Sequence, residues 1–154
     1  MQREKIKTII CWILVAVCMG IIFWLSSRTS EESSAQSGAI LKWLTDILGN
    51  NNFTDFIVRK SAHCLEFAGL CFLFNLAFRQ TNKTPMPIWS VIFTSLYAAT
   101  DEIHQKFVAG RSCELRDWAI DSGGAILGTI CFIIILTIIR HISKRKNSID
   151  RNNN

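Results

Sequence analysis

The chain has 154 residues, 49% of them hydrophobic, and a formal net charge of +5. This length accommodates one domain, and the apolar residues form long blocks, which favours a small membrane bundle over a soluble core. The basic residues lie at the ends of those blocks, where membrane orientation accounts for them, so we expect no nucleic-acid partner. Five of the six cysteines lie inside apolar blocks, which argues against a disulfide framework.

Four apolar segments predict an all-α membrane protein with four transmembrane helices. Residues 8–25 carry no charge, exceed the apolar core of a cleavable signal peptide and end near Trp24, an aromatic interface anchor, so we expect a retained helix. The second segment covers residues 61–78, the third begins at Pro87 and runs through Gln105, and the fourth covers residues 118–139. We expect residues 1–146 to form a single domain and residues 147–154 to form a disordered tail.

The connection between the first two segments, residues 26–60, begins with a polar stretch. Its later part, residues 39–48, is amphipathic and could form a helix that lies on the membrane surface.

The distribution of Lys and Arg residues predicts the orientation in the membrane. With four crossings, both termini and the connection at residues 79–85 share one side, which holds ten basic residues against seven on the other side. Both termini are therefore predicted to be cytoplasmic. In this orientation the ionisable residues lie at the extracytoplasmic ends of their helices, with Glu66 and Asp101 about 5–10 Å below that surface.

A charged side chain at the bilayer centre costs about 2.5–3.5 kcal/mol, so these residues are candidates for function. On the second helix, Lys60, His63 and Glu66 are spaced i, i+3, i+6 and form one stripe. Lys60 could instead extend its ammonium group to the membrane interface. Glu66 is too short for that, and we expect it to be paired and to face inward.

On the third helix, Asp101, His104 and Gln105 share a face, whereas Glu102 lies about 100° away. Glu102 could cap a helix, pair with Lys106 at i+4 or face another neighbour. The two carboxylate–imidazole pairs, on the second and third helices, could bind a divalent metal. Alternatively, a histidine of one pair could act as a general base that the carboxylate orients.

On the fourth helix, Asp117 and Asp121 share a face with Gly124 and Gly128. A Gly-xxx-Gly face lets membrane helices pack closely, so both carboxylates are predicted to face protein rather than lipid. In the preceding loop, Arg111 could neutralise the carboxylates or offer a bidentate contact to a phosphate or carboxylate ligand.

The order of these motifs along residues 10–138 resembles the VanZ-like family. The residues that carry the resemblance are Ser26-Ser27, Arg59-Lys60-Ser61-Ala62-His63, Glu66-Phe67, Asp101-Glu102-Ile103-His104-Gln105, Phe107, Gly110-Arg111, Asp117, Asp121 and Gly124. The resemblance implies a bacterial multi-pass membrane protein of the cell envelope that is associated with resistance to the glycopeptide antibiotic teicoplanin. Glycopeptides act on cell-wall precursors displayed outside the membrane, on the side where the predicted polar layer opens.

Two hypotheses follow. The first is a site that binds or acts on an outer-leaflet lipid, a lipid-linked wall precursor or another anionic ligand. In that hypothesis the candidate catalytic residues are His63, Glu66, Asp101, His104 and Asp121, and the candidate ligand-binding residues are Lys60, Glu102, Gln105, Arg111 and Asp117. The second hypothesis is a non-catalytic membrane protein whose charges form a structural ion-pair network or a transport path.

Overall fold

The computed structural model describes residues 2–49 and 54–152. It contains five helices: α1 (Gln2–Ser26), α2 (Ser30–Leu48), α3 (Asp55–Asn82), α4 (Pro87–Gln105) and α5 (Leu115–Asn152). No strand occurs in either described range. The all-α prediction is confirmed, and α4 has the same bounds as the predicted third segment.

Three helices are long and apolar enough to cross a membrane: Gln2–Ser26, Asp55–Asn82 and the Leu115–Lys146 part of α5. The fourth predicted crossing, α4, does not meet the same criterion. The cause lies in its last two turns, which carry Asp101, Glu102, His104 and Gln105. Length and composition therefore identify three spans rather than the predicted four.

Helix α3 occupies the centre of the bundle and contacts each of the other four helices, most extensively α5. Two glycines of α5 explain this closeness, because a Cβ atom at Gly124 or Gly128 would overlap the backbone carbonyl of Cys64 or Ala68 on α3. The predicted Gly-xxx-Gly packing face is thus confirmed.

The same interface carries a polar contact deep in the bundle. Asn75 donates a hydrogen bond from Nδ2 to Thr129 Oγ1 at 3.0 Å, and Asn75 is fully buried. An interhelical amide–hydroxyl contact of this kind stabilises membrane helices by about 1 kcal/mol. It therefore strengthens the α3–α5 interface.

Helix α2 begins well before the amphipathic piece predicted at residues 39–48. A capping box starts it: Thr29 Oγ1 accepts a hydrogen bond from the Glu32 amide, and Glu32 Oε2 accepts one from the Thr29 amide. This S/T-x-x-E signal was present in a segment whose polarity had indicated a loop. The prediction was wrong at the start of the helix, since reciprocal capping satisfies two amide donors there.

Helix α5 extends beyond the predicted apolar segment at residues 118–139 at both ends. Its backbone is helical through Asn152. The last two residues of the predicted tail lie outside the described residues.

Candidate functional site

A polar cavity of about 120 Å³ lies where the N-terminal part of α3, the C-terminal end of α4 and the start of α5 meet. Five of the ten predicted site residues line it: Lys60, His63, Gln105, Arg111 and Asp117. Arg59, beside Lys60 on α3, lines it as well.

A second cavity, of about 190 Å³, lies between α2 and α3. We call it the α2–α3 groove. It shares Arg59, His63 and Arg111 with the polar cavity, and Glu66 lines only the groove. The two spaces therefore meet at two guanidinium groups and one imidazole.

Lys60 and Asp117 form an ion pair between α3 and α5, and their side chains are 18% and 14% exposed. Arg116 lies farther from the same carboxylate, with Nε 3.9 Å from Asp117 Oδ1. Since Asp117 already balances the charge of Lys60, this lysine is less available to a ligand than a free cation would be.

His63 and Glu66 face each other across one turn of α3. His63 Nδ1 lies 3.7 Å from Glu66 Oε2, too far for a hydrogen bond. Both atoms are buried, and each lacks a hydrogen-bond partner within the described ranges. A buried polar atom without a partner costs about 1–3 kcal/mol, so this pair is suited to receive a ligand or a water molecule.

Asp101 joins the end of α1 to α4. Its Oδ2 atom accepts hydrogen bonds from Ser26 Oγ and from Gln105 Nε2, both at 2.8 Å. Asp101 is 3% exposed and lines neither cavity. This geometry assigns it a role in holding two helices together and in orienting Gln105, which does line the polar cavity.

His104 and Glu102 line neither cavity. The ring centroids of His104 and Phe23 on α1 lie 4.4 Å apart. Within the described part of the chain, His104 and Asp101 do not form an ion pair. Glu102 accepts a hydrogen bond at 2.9 Å from the backbone amide of Glu114, immediately before α5. Of the three alternatives for Glu102, the cap is the one that the structure contains.

Asp121 lies inside the bundle, 2% exposed, on the face of α5 that also carries Gly124. It lines neither cavity. Among the residues that the structure describes, it forms no ion pair within 4 Å.

Arg111 is positioned by a tight loop between α4 and α5. Gly110 adopts a left-handed conformation, with φ of 73°, and lies against Ser30 at the start of α2. The Ser30 amide donates to the Ala109 carbonyl at 3.2 Å, which fixes this loop to α2. Arg111 is thereby held half-buried over both cavities.

The guanidinium group of Arg111 has no carboxylate within 4 Å in residues 2–49 and 54–152. Burial lowers the pKa of Arg111 from its ordinary value, and the nearby charge of Arg59 lowers it further. Arginine remains protonated in proteins despite such shifts. The carboxylates of Asp101, Glu102 and Glu66 raise the pKa of Arg111 from a longer distance. The site therefore contains a half-buried positive charge that has no directly contacting carboxylate among the described residues.

The donor set for a metal is incomplete. Within the described ranges, no group of three or more His, Cys, Asp or Glu side chains is arranged to hold a metal ion. The two carboxylate–imidazole pairs predicted from the sequence do not converge on one point, because His104 packs against α1 while His63 faces the cavities.

Two residues of the candidate site and its supports were not assigned a role from the sequence. Arg59 lines both cavities and donates to Ser34 Oγ of α2 at 3.3 Å, and Ser26 holds Asp101. Each belongs to a motif that carries the family resemblance, and those motifs were the available signal.

A protein-family model described as VanZ/LLP1 matches residues 11–137. This range contains the predicted site residues that line the two cavities. No curated protein and no solved structure matches the chain.

Proposed function

This chain belongs to the VanZ/LLP1 family, and we propose that it binds the phosphate of an outer-leaflet lipid or lipid-linked cell-wall precursor between Arg59 and Arg111. The observation that carries the proposal is the unpaired, half-buried guanidinium of Arg111 at the junction of two cavities. A charge removed from water is costly unless it is paired. A bound anion would supply the missing charge, and a guanidinium group matches a phosphate through two parallel hydrogen bonds.

The proposed topology has four crossings, α1, α3, α4 and α5, with both termini in the cytoplasm. Helix α4 has 19 residues, which at 1.5 Å per residue gives about 28 Å, close to the hydrocarbon thickness. Its polar last turns then lie at the outer surface, where the two cavities open. Basic residues in the C-terminal part of α5, Arg140 and Lys144–Lys146, support this orientation.

Helix α2 is proposed to lie in the outer membrane interface. Ile40, Trp43 and Ile47 are 48%, 62% and 60% exposed and recur at helical spacing, so they form an exposed apolar stripe along α2, which begins at the edge of the α2–α3 groove. A tryptophan on such a stripe is typical of an interfacial helix.

Two groups of predicted residues take different parts in this proposal. Arg59, Arg111, His63 and Glu66 line the cavities and serve the ligand. Asp101, Glu102 and the Lys60–Asp117 pair hold helices together, which retains part of the structural-network hypothesis.

A chemical step on the bound phosphate would extend the same arrangement. His63 would act as a general base and Glu66 would orient it, since both line the space beside the guanidinium groups. A transport path is less well supported. The α3–α5 polar contact at Asn75 is fully buried and connects to neither cavity.

Binding a wall precursor at the outer surface would also support the proposed contribution to teicoplanin resistance. The wall precursor that this chain binds would then be the same molecule on which the antibiotic acts.

The test is binding of a short-chain phosphatidic acid to the purified full-length protein in non-ionic detergent. The matched neutral probe is diacylglycerol of the same chain length. We expect the phosphate-bearing lipid to raise the melting temperature and the neutral lipid to leave it unchanged. Arg111→Gln should abolish the shift, whereas Arg140→Gln, an exposed arginine near the other end of α5, should retain it. Equal responses to both lipids would overturn the proposal.

A further inference from the structure

We infer that the α2–α3 groove holds the hydrocarbon chain attached to the bound phosphate, so that the ligand is a phosphorylated lipid rather than a soluble phosphate. This inference rests on the proposed function and specifies its substrate class. It predicts that the protein recognises two parts of the ligand: the phosphate, which binds at the arginines, and the first methylenes of the hydrocarbon chain, which bind in the groove.

The lining of the groove changes along its length. Leu25 at the end of α1, Ile40 on α2, and Val58 and Ala62 on α3 contribute apolar surface. Arg59, His63 and Arg111 contribute the polar surface that is shared with the other cavity. The remaining lining residues are polar and belong to the groove alone: Ser33, Gln36, Ser37 and Glu66. An amphipathic lining of this kind matches a molecule that has a charged group at one end and a chain at the other.

The groove adjoins the polar cavity at the three shared side chains. A phosphate between Arg59 and Arg111 would therefore lie at the border of the two spaces. From there the head-group side of the ligand extends into the polar cavity of about 120 Å³, and the chain extends into the groove of about 190 Å³.

One edge of the groove is exposed at the outer surface of the helix bundle. Ile40 is 48% exposed although it lines the groove, whereas Val58 on the opposite wall is 8% exposed. Since the exposed stripe of α2 is proposed to lie in the interface, this edge opens at the depth where a lipid's phosphate and first methylenes are found. A chain could leave the groove there and continue into the bilayer.

A soluble phosphate would use only the polar cavity and would leave the apolar walls of the groove without a partner. Burying one methylene from water changes an affinity by about fourfold. Three or four methylenes in the groove would thus strengthen the binding of a water-soluble alkyl phosphate by roughly 50-fold to 250-fold.

The experiment compares methyl phosphate with hexyl phosphate, used below its micelle-forming concentration, on the full-length protein in non-ionic detergent. Isothermal titration calorimetry should show hexyl phosphate binding at least 50-fold more tightly. Hexanol, which has the same alkyl chain but no phosphate, is the control for partition into the detergent, and it should show no saturable binding to the protein.

A variant with a larger side chain in the groove tests whether the alkyl chain of hexyl phosphate binds there. Ala62→Leu should weaken hexyl phosphate binding to near that of methyl phosphate and leave methyl phosphate binding unchanged, which also shows that the variant is folded. Ala39→Leu makes the same change at an exposed position of α2 that does not line the groove, and it should bind like the parent protein. Ile40→Trp provides a second filling variant at the groove edge.

The outcomes separate this inference from the proposed function. Equal affinity for the two phosphates would overturn the chain-binding inference and leave phosphate binding intact. Tighter hexyl phosphate binding that both Ala62→Leu and Ile40→Trp leave unchanged would also overturn it, because the chain would lie elsewhere. If neither phosphate binds, the proposed function and the inference both fail.

Discussion

His63 Nδ1 lies 3.7 Å from Glu66 Oε2 across one turn of α3, and neither atom has a hydrogen-bond partner in the described part of the chain. The pair thus leaves a donor and an acceptor available beside the Arg111 guanidinium. A phosphate at the border of the two cavities would accept a hydrogen bond from a protonated His63 nitrogen, whereas Glu66 Oε2 needs a donor such as a hydroxyl group or a water molecule. Asp101 Oδ1 and His104 Nδ1 are also buried without a partner, but these two residues line neither cavity. The His63–Glu66 pair differs from them because it lines the groove beside Arg111.

The first prediction concerns this pair. His63→Ala and Glu66→Gln should each return teicoplanin susceptibility to that of cells lacking the protein, because each removes a polar group from the ligand's surroundings. The amount of protein in the membrane should not fall by more than a small fraction, since neither atom supports a hydrogen bond that holds the fold.

His141→Ala is the matched control, because His141 is an exposed histidine near the other end of α5. It should keep the parent level of resistance. Loss of the His63→Ala protein from the membrane would show instead that the histidine serves the structure.

The second prediction concerns the glycine face of α5. Gly124→Ala and Gly128→Ala should each lower the free energy of unfolding by about 1–3 kcal/mol, because the added methyl group would overlap a carbonyl of α3. Thermal unfolding in detergent would measure this. Gly123→Ala meets nothing within 4 Å and should be neutral or stabilising by up to about 1 kcal/mol. Similar melting temperatures for all three variants would contradict the packing.

The third prediction concerns the link from α1 to α4. Ser26→Ala removes a buried hydrogen bond to the Asp101 carboxylate, and hydrogen bonds to charged groups contribute about 1.5–3 kcal/mol. We expect a loss of that size in the free energy of unfolding, measured in detergent. Ser27→Ala should have little effect, because Ser27 Oγ donates only to the Phe23 carbonyl of its own helix. Equal effects at the two serines would refute the specific link.

The fourth prediction concerns the Lys60–Asp117 pair. Lys60→Met should destabilise the protein by about 3–5 kcal/mol, since it leaves a mostly buried carboxylate without its partner. The double variant Lys60→Met with Asp117→Leu should recover most of that loss, because neither charge then remains. Additive losses in this double-mutant cycle would mean that the two groups do not interact. Lys42→Met, at an exposed position of α2, is the control.

The fifth prediction concerns topology. A reporter that is active only in the cytoplasm should be active when fused after Lys146 and inactive when inserted after Gly49, since the proposed orientation puts these positions on opposite sides. An inactive reporter after Lys146 would refute the cytoplasmic C-terminus. Activity after Gly49 in the same set would mean that the protein is inverted and that both cavities lie at the inner surface, whereas inactivity at both positions would mean three crossings.

The sequence by itself determined the helical architecture, the bounds of α4, and the Gly124–Gly128 face of α5. These depend on local features: blocks of apolar residues, a proline at a first turn, and the period of a helix. The start of α2 at Ser30 was equally local, through the Thr29–Glu32 capping box, but the polar composition of that segment concealed it.

Only the tertiary structure decided which predicted residues share a site. Helical phase shows that Asp101 and His104 lie on one face of α4, but it does not show that Ser26 holds the first while Phe23 covers the second. Likewise, the pairing of Lys60 with Asp117 and the placement of Arg111 over both cavities require that three helices and a loop meet. Which charge is satisfied and which remains available depends on these neighbours, because the cost of a buried charge is set by what surrounds it in space rather than by its position along the chain.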